Sequence, residues 1–382
     1  MKKVFLDPSE LVDVVAEFRR TVELKIKEPW SGLCGFDGFI DTFIEVEKPD
    51  TMAEFGSKVL EAAGIATSFT VQNHGDRFGG NGPLLSSALH SFLGKQTEIT
   101  YVGALGNQEI LPVFREAMDD KMKQMISLAD PAHSDCLEFR DGKVMLSDLR
   151  FCSDIHWERL IERMGLDELD KELRTIDFIG AVNWGKLVNV GTIWRGLAER
   201  LAAVGRKVKE VSFFMDLAEF DQRPFEDQSS LVDLVGEITN QCHTILSLNL
   251  KEAWQMAAIF GASFKGDREP STVADLSLFL RERIKVDRIV VHPNDGAASA
   301  GEEGAVYVPG PFVEKPLVST GAGDTFGAGV MGSHLLGLSD PAVLACGVCA
   351  SGYYVRTGKF PSLGQVLDLA ERWVKGTLLE RL

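Results

Sequence analysis

Thr320-Gly321-Ala322-Gly323-Asp324-Thr325-Phe326 is the segment best equipped for chemistry. It sets a run of backbone N–H groups, free of large side chains, ahead of a small-residue stretch that reads as a helix. A helix N-terminus carries about half a positive charge and several unpaired donors, so the amides of Gly321, Ala322 and Gly323 suit a phosphate. Asp324 falls in the first turn, where a carboxylate can take a proton from an incoming alcohol. An anion cradle beside a base is the minimum equipment for moving a phosphoryl group onto a hydroxyl.

Three further segments fit that chemistry. Asn249-Leu250-Lys251-Glu252 follows the apolar run Thr244–Leu248. On a helix, Asn249 and Glu252 face the same way, and an amide with a carboxylate can order the water shell of Mg²⁺. The same N-x-x-E is also an ordinary capping arrangement. Phe78-Gly79-Gly80-Asn81-Gly82-Pro83 precedes the helix-like Leu84–Leu93. Its glycines permit close backbone approach to a ligand, or merely a tight loop that launches the helix. In Gly35-Phe36-Asp37-Gly38-Phe39-Ile40-Asp41, two aspartates can accept hydrogen bonds from sugar hydroxyls, unless they form only a solvated acidic turn.

Other patterns are discounted. Gly180–Leu187 matches a P-loop except at Leu187, which cannot bind Mg²⁺ as Ser or Thr would. Gly327–Gly332 has dinucleotide-fingerprint spacing but lies inside the helix after Asp324, where small residues serve helix packing. Cys346 and Cys349 sit in an apolar helical run with no second pair or histidine to complete a zinc site. Phe36, Phe39 and Trp184 are core residues or substrate-facing aromatics, and no histidine is given a catalytic role.

These segments need a scaffold. Asp7-Pro8-Ser9-Glu10 reads as a capping box with proline at the first helical position, and helical spacing then extends over 8–25. Leu33–Ile40 reads as a strand ending in an acidic turn. Ile176–Val182, Val211–Met215, Thr244–Leu248 and Arg288–Val291 are short apolar runs separated by helical stretches. That alternation predicts an α/β fold with a mostly parallel sheet covered on both faces. Cys136–Arg140 and Lys143–Leu146 flank Asp141-Gly142, a tight-hairpin signal.

The 382 residues hold 45% hydrophobic and 25% charged side chains, a globular composition. Forty basic against 56 acidic residues leave a net charge of −16 with no basic block, which argues against nucleic-acid binding. No signal peptide or membrane span is expected, and the six scattered cysteines suit reduced thiols in the cytoplasm.

In this order, the four segments resemble the ribokinase-like (PfkB) family of carbohydrate and nucleoside kinases over roughly residues 31–360. Val102-Gly103-Ala104-Leu105-Gly106-Asn107 is similar to a family turn, and Phe214-Met215-Asp216 with Arg223 to a family strand end. The resemblance implies a central sheet flanked by helices, with a β-rich lid over the substrate from segments near 38–75 and 133–153. Residues 1–30 would be an N-terminal helical extension and 31–382 the kinase domain. It further implies Asp324 as general base and Gly321, Ala322 and Gly323 as the anion hole. Asn249 and Glu252 would organise Mg²⁺, through water, and phosphate. Asp37, Asp41, Gly79, Gly80 and Asn81 would bind a sugar or nucleoside, with Gly296 on the ATP side and a homodimer through the lid. The chain departs from the family pattern at Val318, usually aspartate, at Leu84 and Leu85, usually asparagine, and at Val291–Asp295, which keeps only the last glycine, Gly296, of a nucleotide-side turn. An ADP-dependent sugar kinase and a non-catalytic sugar or nucleotide sensor are the alternatives.

Overall fold

The computed structural model describes residues 2–25 and 29–381. Strands β1 (Lys2–Val4), β2 (Ser31–Gly35), β3 (Phe39–Val46), β4 (Val71–Gly79), β5 (Glu98–Gly103), β6 (Gln124–Ser127), β7 (Ala132–Phe139) and β8 (Gly142–Asp148) come from the first half of the chain. Strands β9 (Phe178–Val182), β10 (Ser212–Asp216), β11 (His243–Asn249), β12 (Arg288–His292), β13 (Gly296–Gly301) and β14 (Gly304–Pro309) follow. Ten of them form one sheet in the order β1-β14-β13-β12-β11-β10-β9-β2-β5-β6. Only β13 runs against its neighbours, so the sheet is mostly parallel, as its four alternating apolar runs predict.

Both faces are covered because each strand feeds both. Phe213 and Met215 of β10 pack into one apolar cluster and Phe214 into the other. Ile179 and Phe178 of β9 divide in the same way. Successive side chains of a strand point to opposite faces, so near-continuous apolar runs are what a doubly covered sheet demands.

The N-terminal segment does not stand apart as an extension. β1 pairs in parallel with β14 at the sheet edge, and Val14, Val15, Phe18 and Val22 of the helix Val12–Lys25 are buried in the second cluster. The expected capping box is present at Asp7 and Glu10, but it opens a 3₁₀ turn, Pro8–Leu11, before the α-helix.

The remaining strands form a separate sheet in the order β4-β3-β7-β8, whose Phe39, Asp41, Ser134, Met145 and Ser147 line a cavity with residues at the ends of the central strands of the main sheet. Leu33–Ile40 is therefore not one strand. β2 stops at Gly35, and the chain crosses at Asp37 into β3 of the second sheet. The hairpin of β7 and β8 turns through Arg140-Asp141, one residue earlier than Asp141-Gly142, since Phe139 pairs with Gly142. Asp141 Oδ1 accepts from Met52 N at 2.9 Å and so ties the turn to the start of the helix Met52–Glu61.

Strand order reverses beside β2. From β2 the chain moves outward to β5 and β6, then returns to β9 and proceeds the other way through β10, β11 and β12. Crevices form at the carboxyl ends of strands where such a reversal occurs. Asp37, Asn183, Asp216, Asn249 and His292 all sit at those ends.

Candidate active site

The crevice is a cavity of about 650 Å³. One wall is the helix Ala322–Leu335. Gly321 precedes it with φ 88°, a left-handed conformation that glycine adopts without strain, and no side chain caps the helix. Ala322 N donates to Ser319 O at 3.2 Å, whereas among the described residues none accepts from the N–H of Gly321 or Gly323. Thr325 Oγ1 donates to Gly321 O at 2.8 Å and stiffens the turn. Two free amides therefore face the cavity at a helix N-terminus, an arrangement that stabilises an anion.

Asp324 lines the same cavity, and Asn81 Nδ2 donates to its Oδ1 at 2.9 Å. Burial, and then the nearby charge of Asp216, hold the Asp324 carboxyl well above the usual carboxylate range. One carboxylate oxygen is thus fixed by an amide, and the other remains for a proton.

Asp37 is 1% exposed and lies behind the cavity wall. Its carboxylate accepts from Asn81 N at 2.9 Å, Gly82 N at 2.7 Å and Asn183 Nδ2 at 2.5 Å. Burial pushes its pKa up, while these three donors favour the ionised form. Asp37 anchors the N-terminus of the helix Asn81–Leu93 and so sets the residue that holds Asp324.

Asp41 does line the cavity. It is 5% exposed, its Oδ1 has no hydrogen-bond partner among the described residues, and burial pushes its pKa to about 6. Asn183 supplies a second unpartnered buried acceptor, because its Nδ2 is spent on Asp37 and leaves Oδ1 free toward the cavity. Buried acceptors without partners are costly, so this pair calls for hydroxyl donors from a ligand.

The glycines serve these carboxylates as well. A Cβ on Gly79 would stand 2.2 Å from Asp41 Oδ2, so only glycine lets β4 pass that close. Gly80 and Asn81 line the cavity, while Gly79 sits behind Asp41. Gly79→Ala is therefore expected to displace Asp41 and raise KM for the acceptor about ten- to a hundred-fold, with the donor KM unchanged. Steady-state kinetics with each substrate varied in turn checks this; an unchanged acceptor KM would show that Asp41 takes no part in binding.

Asn249 and Glu252 form a reciprocal capping box at the start of Leu250–Ile259. Asn249 Oδ1 accepts from Glu252 N at 3.0 Å, and Glu252 accepts from Asn249 N at 3.0 Å and Nδ2 at 2.6 Å. Both residues also line the cavity, so the capping and ligand-facing roles coexist. Burial, and then the charge of Asp216, hold the Glu252 carboxyl well above the usual carboxylate range, and burial raises Asp216 as well. Such crowded, uncompensated carboxyls fit a cation brought in with phosphate. Among the described residues no three His, Cys, Asp or Glu side chains converge to hold one directly.

Gly296 lies outside the lining. It opens β13 in close contact with Tyr307, whose hydroxyl would be 2.1 Å from a Cβ there. Trp184 and Phe36 are core residues; Trp184 stands edge-on to Phe220 with the Arg223 guanidinium 4.0 Å from its ring centre. Phe39 lines the cavity at the lid base, and Leu84 lies beside Gly80. Asn183, Lys186, Asp216 and His292 were not singled out as site residues. Asp216 does fall in the family-like strand end, His292 in the degraded nucleotide-side turn, and Asn183 and Lys186 in the discounted P-loop-like run; what unites the four is position at or just beyond the ends of strands that the topology makes neighbours. Burial drives His292 down to about 4, so its imidazole, packed on Phe326, is neutral.

A second chamber of about 1200 Å³ continues under the lid and shares Asp41, Leu84 and Thr320 with the first. Lys143 of β8 hydrogen-bonds Thr320 Oγ1 across it, joining the lid to the residue before Gly321.

Residues 9–373 match the sequence model of the prokaryotic ketohexokinases. The chain belongs to that family. It is 26% identical over 355 residues to a ketohexokinase from Haloferax volcanii, covering 90% of this chain and 91% of that protein. Its fold is that of phosphofructokinase-2 from Escherichia coli, at TM-score 0.61 and 13% identity over 91% of this chain and 99% of the other. A putative ribokinase II from the same organism, solved with ATP and Mg²⁺, gives TM-score 0.60 at 12% identity over 90% and 100%. The fold is ribokinase-like and the protein is a carbohydrate kinase, as the four segments led one to expect. Among the described residues no helix is long and apolar enough to cross a membrane.

Proposed function

We propose that this kinase transfers the γ-phosphoryl group of ATP to a hydroxyl of a ketohexose or closely related sugar. The observation that carries the proposal is the Asp324 carboxylate, oriented by Asn81 and facing the cavity beside two free amides of an uncapped helix N-terminus. Asp41 Oδ1 and Asn183 Oδ1 accept from sugar hydroxyls and aim one of them at Asp324. Asp324 takes the hydroxyl proton as that oxygen bonds to the γ-phosphorus and the bond from the γ-phosphorus to the β–γ bridging oxygen breaks, so that ADP leaves; its raised pKa suits Asp324 to hold the proton. The N–H groups of Gly321 and Gly323 stabilise the charge on the transferring group. Mg²⁺, bound through water near Asn249 and Glu252, would supply neutralisation of the donor phosphates. Support for ATP and Mg²⁺ comes from the ribokinase II complex that shares the fold.

The lid carries exposed Leu60, Ile65 and Leu146, and pairing of two copies through it would cover such side chains, which sedimentation velocity tests. The catalytic proposal is tested by a coupled screen for product nucleotide, with ATP and ADP as donors, over ketohexoses, aldohexoses, pentoses, their phosphates, inositols and nucleosides. Transfer from ATP to ketohexoses is expected. Transfer from ADP alone, or binding without transfer across the panel, overturns it.

A further inference from the structure

The cavity has an unbalanced charge. Five carboxyl groups line it, Asp41, Asp216, Glu252, Asp324 and Glu219, of which Glu219 is already paired with Lys251; the single Lys or Arg of the lining among the described residues is Lys186. A nucleoside triphosphate carries about four negative charges into such a site, and a helix N-terminus offsets only a fraction of one. Lys251, inside the N-x-x-E segment, is not available, because its ammonium is paired with Glu219 at 2.6 Å and Asp221 at 3.4 Å. Lys186 is half-buried and makes no hydrogen bond or ion pair among the described residues.

Its base is firmly placed. Asn183 N donates to Asp216 O at 2.9 Å, Gly185 N to Leu217 O at 2.7 Å and Leu187 N to Asn183 O at 3.2 Å. A Cβ on Gly185 would come 2.3 Å from Glu219 O, and Leu187 is fully buried. The loop is therefore clamped onto the end of β10 with one long cationic side chain left over the cavity. Asn183, three residues earlier, is held by Asp37, and Gly185 N is bonded to Leu217 O, next to Asp216. Lys186 lines the same cavity as Asp41 and Asn183, read above as the sugar side, and as Asp216, Asn249 and Glu252, read as the phosphate side.

We propose that Lys186 is a catalytic residue whose ammonium contacts the terminal phosphate oxygens of the donor and stabilises the group in transit. This rests on the proposed ATP-dependent transfer to a sugar. A lysine acts here as a mobile point charge with three donors, and arginine keeps the charge while changing its geometry.

The test compares the whole enzyme with Lys186→Met and Lys186→Arg. For Lys186→Met we expect kcat/KM for ATP to fall about a hundred- to a thousand-fold. Calorimetric affinity for ATP should fall while that for adenosine stays unchanged, and Lys186→Arg should recover part of the loss. The ligand-free melting temperature of each variant separates this from misfolding, and an unchanged adenosine affinity reports an intact nucleoside site. Wild-type kinetics for Lys186→Met overturn the inference. So does a rise confined to the sugar KM with ATP affinity unchanged, which would place Lys186 on the acceptor. Absence of transfer by the wild-type enzyme sinks the ATP proposal instead, so the two failures are distinguishable.

Discussion

Asp324→Asn is expected to lower kcat about 10²- to 10⁴-fold, the range for loss of a general base, with ATP affinity altered little. The substitution preserves shape and the hydrogen-bonding position toward Asn81 but removes the proton acceptor. The pH profile provides a second check with a definite sign. Burial and the charge of Asp216 raise the Asp324 pKa, so the competent carboxylate is lost as pH falls through that raised value. Asp41, pushed to about 6, loses charge on the same side, and acceptor kcat/KM should decline below about pH 6. In Asp324→Asn the limb belonging to the base disappears, whereas the weakening of acceptor binding due to Asp41 persists. A variant that keeps full turnover, or an unchanged acid limb in kcat, would falsify the assignment of the base.

The second large effect is on stability. Asp37→Ala strands three donors, Asn81 N, Gly82 N and Asn183 Nδ2, in a place closed to water. A buried donor without a partner costs about 1–3 kcal/mol, so for three donors a loss on the order of 3–9 kcal/mol is expected, less whatever a water entering the gap recovers. Activity should fall with it, because Asn81 then no longer presents its amide to Asp324. Urea denaturation reads the effect as a lower midpoint at unchanged slope. A midpoint within about 0.5 kcal/mol of wild type would mean that the three donors find other acceptors.

Much of the architecture was readable because its causes are local. The four apolar runs of β9 to β12 and the hairpin of β7 and β8 carry their signals within a few residues, and so do the capping boxes at Asp7 and Asn249. Leu33–Ile40 misled because its apolar character is continuous across the exit from one sheet to the other at Asp37. β13, Gly-Ala-Ala-Ser-Ala-Gly, went unread since it has none of the branched or aromatic residues that mark a strand. The edge strand β1 is only three residues long and gains its identity from pairing with β14.

The site divides along the same line. Asp324 with its glycines, and Asn249 with Glu252, act through spacings of one to three residues, which a sequence displays directly. Asn183, Lys186 and Asp216 become neighbours only through the order of parallel strands. The glycines at 79 and 80 did mark a close approach, but the groups approached are the protein's own carboxylates, Asp41 and Asp37. Of the two readings open for Trp184, core or substrate-facing, the structure takes the first, its buried ring lying against the Arg223 guanidinium.

β4 of the lid runs through Gly79 and Gly80 directly into Asn81, the residue that grips Asp324. The roof of the chamber and the carboxyl of Asp324 are thus joined by one continuous run of backbone. Any tilt of the roof that follows the arrival of sugar is delivered at the base by way of two glycines. An enzyme wired in this manner has a built-in reason to leave its donor intact until an alcohol, and not a stray solvent molecule, is in place to receive the phosphate.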